Sequence, residues 1–159
     1  MSSEPSVAVQ AYWDEYVRAT GVEATFETWW FGGDDDVEMK TELGRLVVDG
    51  PKRATTSLFE DYERDGEPLP VVGDHGVVVD GSGTPLCVVR TSRVDVAPFG
   101  EVSEEFAWVE GEGDRSLAYW RETHLEFFAQ MGTPIDDASL VVLERFDVVW
   151  PRPDEPDSR

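Results

Sequence analysis

The sequence predicts an α+β fold around one hydrophobic core, and three observations carry that reading. A length of 159 residues suits one domain with short tails, because a chain of this size buries one core well and two poorly. Apolar residues between Val7 and Thr20 recur at three- and four-residue spacing, the period of a helix face. Gly76 to Asp80, Pro85 to Val96 and Ser139 to Trp150 are instead apolar, β-branched runs bounded by turn residues, the pattern of strands. Hydrophobic residues make up 40% of the chain and include six Trp and eight Phe, enough to offset the ordering entropy that keeps many charged chains unfolded.

The first helix carries Val9, Tyr12, Trp13, Tyr16 and Val17 on one face, with Gly21 as its stop. Phe26, Trp29, Trp30 and Phe31, ahead of Gly32-Gly33, form an aromatic segment that either packs into the core or lines a groove. Asp34 to Asp36 can cap a second helix bearing Val37, Leu43, Leu46 and Val47. Gly50-Pro51 ends it, since glycine suits a C-terminal cap and proline cannot continue the helix. Lys52 therefore falls just beyond a helix end. A short helix is expected over Thr56 to Asp65, then a loop from Gly66 to Pro70 leading to Val71-Val72-Gly73-Asp74. The strands at Gly76 to Asp80 and Pro85 to Val96 flank Gly81-Ser82-Gly83-Thr84 and are expected to pair antiparallel. Asp114 begins a helix running to Met131 that buries Leu117, Trp120 and Phe128, and Ser139 to Trp150 is a late strand. With no internal repeat, residues 1–25 read as an N-terminal helical extension, 26–150 as the domain and 151–159 as a flexible, proline-rich tail.

The longest apolar runs fall far short of the roughly 20 residues that cross a bilayer, so no membrane association is expected. The opening Met1-Ser2-Ser3-Glu4-Pro5 has neither the basic start nor the apolar stretch of a secretory signal, which makes the cytoplasm the expected location. Cys87, alone in the chain and set in Leu86-Cys87-Val88-Val89, reads as a buried thiol in a strand. His75 and His124 are not spaced as a zinc pair and have no cysteine partners. The sequence also lacks a phosphate-binding glycine loop and a Gly-x-Ser-x-Gly elbow, so neither a metal nor a cofactor is assigned. Nothing in the sequence addresses oligomeric state.

Three segments, in order, resemble the ASCH domain family over roughly Trp29 to Trp150. The aromatic Trp30-Phe31-Gly32 precedes a helix ending in Gly50-Pro51-Lys52-Arg53-Ala54-Thr55-Thr56-Ser57, similar to the family's Gly-x-Lys-x-x-Thr segment. Pro70-Val71-Val72-Gly73-Asp74 resembles the Gly-Asp turn that enters the barrel. Glu104-Glu105-Phe106-Ala107, through Glu110-Gly111-Glu112-Gly113-Asp114-Arg115-Ser116-Leu117 to Trp120-Arg121, resembles the long signature of one branch. The resemblance implies a PUA-like small β-barrel with surrounding helices, and a cleft associated with RNA or modified nucleosides. Some similar small proteins are acetylcytidine amidohydrolases. Their catalytic lysine, threonine and glutamate would correspond here to Lys52, Thr55 and Glu112, as base, nucleophile and acid/base, with Glu105 and Glu110 competing for the last role. Other similar domains are linked to ribonuclease activity, and a regulatory module that binds another protein through the acidic surface is a further alternative that nothing specific in the sequence favours.

The residues themselves leave the chemistry open. Lys52 beside Thr55 and Thr56 offers a cation and two hydroxyls for holding phosphate or activating a hydroxyl. A lysine base would need its pKa lowered by roughly 3 units from about 10.4, or about 4 kcal/mol, to which Arg53 could contribute. A nearby Glu112 would instead hold the ammonium charged, giving an ion pair that positions substrate. Lys52, Thr55 and at least one of Glu110 and Glu112 are expected to line one concave pocket. On this reading Lys52→Ala alters the fold by no more than about 0.5 kcal/mol, as an exposed surface change does. Trp30, with Trp29, Trp108, Tyr119 and Trp120, offers a stacking surface for a base; Arg53, Thr56, Glu110 and Arg121 are the further candidates for contacting substrate, while Arg121 and Arg90 either grip a phosphate or pair with surplus acids. Glycine-spaced Glu110, Glu112 and Asp114 equally suit a solvated loop, with Asp114 capping the next helix.

A formal net charge of −21, spread from end to end, is the most unusual feature of the composition. Only Lys40 and Lys52 accompany eleven arginines, a balance that resembles the cytoplasmic proteins of salt-adapted organisms. Self-repulsion of this size weakens a fold at low ionic strength, whereas at molar salt the Debye length falls to about 3 Å. The charge thus speaks of the solvent more than of the ligand, and a missing basic patch is weak evidence against nucleic acid. The thermal unfolding midpoint is expected to rise as potassium chloride goes from low to molar concentration; a flat or falling series would count against the halophilic reading.

Overall fold

The computed structural model describes residues 4–33 and 35–151. Helix α1 (Val7–Thr20) is capped by the Ser6 hydroxyl, which accepts from the Val9 amide, and ends at Gly21 in the left-handed conformation. Strand β1 (Glu27–Trp29) precedes α2 (Val37–Val48), whose N-terminal cap is Asp36, accepting from the Met39 amide at 2.9 Å. Asp34 lies outside the described residues, as does the tail beyond Pro151. Then follow β2 (Ala54–Leu58), α3 (Phe59–Asp65), β3 (His75–Val79), β4 (Pro85–Pro98), α4 (Glu104–Glu110), α5 (Leu117–Gln130) and β5 (Leu140–Trp150).

Several boundaries differ from the sequence reading, each for a local physical reason. The expected helix from Thr56 starts only at Phe59, because Thr55, Thr56 and Ser57 pair with β5 as strand β2, a setting that suits β-branched threonines. The cap of α2 is Asp49 in right-handed geometry; Gly50 does not supply a left-handed one. Helix α5 begins at Leu117 rather than Asp114. Its cap is Ser116, accepting from the Tyr119 amide, while Asp114 accepts from the Ser116 amide one turn earlier. Trp120 and Phe128 are buried as the stripe requires, with Leu117 partly so. The segment read only as a motif, Glu104 to Glu110, folds as α4, with Ser103 as cap and two acids in its first turn.

The five strands form one curled sheet in the order β1-β3-β4-β5-β2. The hairpin β3–β4 and the pairs β4–β5 and β2–β5 are antiparallel; β1 joins β3 in parallel. Register shifts between Val88 and Val89 and between Thr91 and Arg93 bend β4 along its long pairing with β5, which turns the sheet into a half-barrel. Strand β3 is buried along its whole length: Val77 and Val79 face α1 through Trp13 and Tyr16, while Val78 faces Trp29, Phe31 and Phe146 inside the curl. Gly76 keeps the β1–β3 edge close, since a Cβ there would lie 2.5 Å from the Trp29 indole. Helices α4 and α5 pack on β2 and β5 through Phe106, Trp120 and Phe128. The two edge strands, β1 and β2, leave an open seam, and it is along this seam that the main clefts lie.

Candidate functional site

A cleft of about 510 Å³ is bounded by Phe31 just after β1, by Thr55 and Thr56 of β2, and by Tyr119, His124 and Phe127 of α5. On its floor sits Lys52, only 1% exposed. Its ammonium donates to the Ala54 carbonyl at 2.9 Å and to Glu112 at 2.6 Å, and meets Glu110 at 3.4 Å, so each of its three protons has an acceptor. It also lies 5.1 Å from the centroid of the Phe31 ring. Glu110 is 2% exposed and collects four donors: Thr56 at 2.8 Å and the Trp120 indole at 2.6 Å on one oxygen, Lys52 and His124 at 3.4 Å on the other.

The local chain explains why these groups meet. Glu110 is the last residue of α4 and Gly111 its left-handed cap, at φ 74°. A Cβ on Gly111 would lie 2.8 Å from the backbone of Lys52, so only glycine lets this turn press against the segment after α2. The turn sends Glu110 inward and brings Glu112 back over the ammonium. The Arg53 amide donates to the Val109 carbonyl at 2.9 Å, which fastens the two segments together.

Burial alone would lower the Lys52 pKa, but Glu112 and Glu110 outweigh it and raise it above the usual lysine value. Burial would likewise raise Glu110, yet Lys52 and His124 hold it well below the usual carboxylate range. For His124, burial is outweighed by Glu110, and the imidazole pKa is raised. Geometry agrees: Nδ1 faces the Trp120 carbonyl at 2.7 Å and Nε2 faces the Glu110 carboxylate, two acceptors that only the doubly protonated ring satisfies together. The result is a balanced quartet of Lys52⁺, His124⁺, Glu110⁻ and Glu112⁻. An ammonium so held is poor as a general base and well suited to stabilising negative charge or orienting a polar ligand.

Of the residues singled out in the sequence, the cleft brings together Lys52, Thr55, Thr56, Glu110 and Glu112. The Thr55 hydroxyl makes no hydrogen bond among the described residues; Thr56 is the threonine bound to the charged cluster. Arg53 does not line the cleft: its guanidinium donates to the carbonyls of Val47, Gly50 and Lys52 and ties down the turn after α2. Nor does Arg121, which pairs with Asp137 at 2.6 Å and lies over Phe99. Trp30 packs with the α1 cluster, 5.2 Å from the Lys40 ammonium, and Trp108 is covered by Arg115 on the outer surface. Glu105 pairs with Arg145, away from the cleft. Of the carboxylates in the 110–114 run, Glu110 and Glu112 converge on the Lys52 ammonium, which offsets their repulsion, and Asp114 is spent on the Ser116 amide. His124 was missed as a site residue. Its signal is a histidine inside the otherwise apolar stripe of α5, one turn after Trp120. Among the described residues, no group of three or more His, Cys, Asp or Glu side chains is placed to hold a metal ion. No described helix is long and apolar enough to cross a membrane.

The model of the ASCH domain matches residues 27–150. The crystal structure of an ASCH domain from Lactobacillus crispatus JV V101 superposes with a TM-score of 0.80 at 31% identity, covering 92% of this chain and 96% of that one. A crystal structure of a protein from Enterococcus faecalis V583 gives 0.79 at 33% identity, over 89% of this chain and 88% of that one. No curated protein sequence matches the chain significantly.

The burial of Lys52 overturns the expectation that its removal is silent. Lys52→Met leaves two carboxylates without their cation and is expected to cost about 3–5 kcal/mol in urea unfolding at molar salt, with Glu110→Gln in the same chain restoring part of the loss. A cost under about 0.5 kcal/mol would mean the pair carries no such weight.

The raised His124 pKa also fixes a pH trend. A group raised on folding contributes stability that is fully present below its unfolded value, about 6.5, and is lost as pH climbs through the folded value. The stability advantage of wild type over His124→Gln should therefore be fullest below about pH 6.5 and shrink as pH rises above it; an advantage that grows with rising pH would contradict the assigned charge state.

Proposed function

The chain belongs to the ASCH domain family, and from that premise we propose that it binds RNA or a modified nucleoside in the Lys52 cleft and acts in RNA metabolism. The observation that carries this reading is the buried ion-pair cluster at the floor of a cleft with aromatic walls. Phe31, Tyr119 and Phe127 offer faces on which a base can stack, and Glu112 and Thr55 offer acceptor and donor groups to its polar edge, with Glu112 held in place by the fully bonded Lys52 ammonium. Glu42, Glu122 and Glu126 also line the cleft. They disfavour a run of phosphates at this point and favour the nucleoside itself, free or splayed from a single strand.

A hydrolase of the same fold is the second reading, and the unbonded Thr55 hydroxyl within the cleft favours it. In that case Thr55 is the nucleophile on an acylated cytidine. Its proton then passes to Glu112, the acid/base that the resemblance implies, which returns it to the cytidine amine as the amide C–N bond breaks, and water later frees the acyl group from Thr55; Lys52 stabilises the developing oxyanion as an ammonium and does not act as the base.

Titration calorimetry with acetylcytidine, cytidine and a short single-stranded RNA at molar potassium chloride tests both. Binding by the acetylated nucleoside is expected to weaken about ten-fold or more in Glu112→Gln, the scale of one hydrogen bond to a charged group. Chromatography of the same mixtures separates the readings: release of cytidine that Thr55→Val abolishes supports the hydrolase, and binding without product supports the recognition module. If none of the three ligands binds, the functional reading of the cleft is wrong.

A further inference from the structure

A second cleft, of about 840 Å³, shares none of its described lining residues with the first. It opens on the same seam, with Glu27 and Trp29 contributed by β1, Ser57 by β2, and Tyr62 by α3. Six of the described lining residues are acidic, namely Glu27, Asp61, Asp65, Glu67, Asp74 and Glu144, and no lysine or arginine among the described residues lines it. Arg64 pairs with Asp61 and Asp65; the other four have no lysine or arginine partner among the described residues.

On a chain this acidic, rim carboxylates by themselves signify only solvation. Glu144 is different. It is 3% exposed, on the face of β5 that also carries Phe146. One of its oxygens accepts from the Thr91 hydroxyl at 2.6 Å, and the other has no hydrogen-bond partner among the described residues. Burial, reinforced by Asp74 and Glu27 against the Thr91 hydrogen bond, raises its carboxyl to about 7. In its ionised form it is a buried charge without a counter-ion. His75, 6% exposed and lining the same cleft, has a buried Nδ1 with no hydrogen-bond partner. Burial, helped by the Arg90 charge and opposed by the Gly73 backbone and Asp74, lowers its imidazole pKa, while Nε2 lies 3.4 Å from the Tyr16 hydroxyl.

We propose that this second cleft binds an organic ammonium ion, with the cationic head against Glu144 and the apolar body against Phe26 and Trp29. The carboxylates exclude an anion, and an ammonium supplies both the missing counter-charge and a donor for the free Glu144 oxygen. A bare metal ion fits less well, because no set of three ligating side chains converges among the described residues and the cavity is far larger than an ion.

Calorimetric titration with phenethylammonium and with its neutral counterpart phenethyl alcohol, in molar potassium chloride, tests this. The ammonium is expected to bind about ten-fold or more tighter than the alcohol, and Glu144→Gln, which keeps an acceptor for Thr91, to remove most of that preference. Glu104→Gln, an exposed charge on α4, should leave both affinities unchanged. If Glu144→Gln does not fold by circular dichroism, Glu27→Gln at the rim is read instead and should weaken the ammonium selectively. Equal binding of ammonium and alcohol, no binding of either, or equal weakening by Glu104→Gln and the cleft variant would overturn the proposal.

Discussion

A lysine ammonium removed from water obliges the chain around it to converge. An unpaired ion in an interior costs several kcal/mol, so the three protons of Lys52 must each find an acceptor that does not move away. One acceptor comes from its own segment, the Ala54 carbonyl, and the other two arrive from 58 and 60 residues downstream as Glu110 and Glu112. That convergence sets the path of the turn after α4, requires glycine at position 111, and aligns α5 so that Trp120 and His124 complete the shell of Glu110. The same groups that make the ion tolerable also form the floor of the cleft, so stability and binding geometry here are one arrangement viewed twice.

The half-barrel is what gives this arrangement access to solvent. A fully closed barrel has no edges, whereas this sheet ends in β1 and β2, neither paired to the other. Such edges invite association with other strands. Here β1 is only three residues long, and β2 is flanked by α4, which limits the backbone on offer. Lining residues from both margins of the opening reach the two clefts. Thr55 and Glu144 stand opposite each other in the β2–β5 ladder, yet one lines the first cleft and the other the second, so a single rung of the sheet separates them.

Much of the fold was legible in the sequence, for identifiable reasons. Helix α1 keeps a clean helical period ended by glycine, and the β3–β4 hairpin joins two β-branched runs through a glycine-rich loop, so local pattern and tertiary role agree. Strand β2 was not legible, because its identity comes from pairing with β5, some ninety positions away, and the helix that follows at Phe59 masks its end. The site was legible in composition and not in environment. A lysine after a helix ordinarily stays in water, and nothing near Lys52 in the sequence announces that it is enclosed. His124 illustrates the converse. Its place in an apolar stripe is visible, but its charge state depends on Glu110, which only the packing of α4 on α5 supplies. Arg53 and Arg121 were read as ligand-binding groups, and the fold employs them instead as fasteners for a turn and for an acid on the loop before β5.

The enclosure of Lys52 also governs how the protein behaves toward covalent reagents. Acylating and reductive-alkylation chemistries need an uncharged, accessible amine, and of the two lysines in the chain Lys52 is neither. Lys40, partly exposed on α2 beside Trp30, is the one lysine side chain such reagents reach. A fluorophore or surface linker attached through lysine will therefore sit at one defined place on α2, leaving the ammonium in the cleft untouched. The scarcity of lysine that accompanies the chain's acidity thus gives it a nearly unique attachment point.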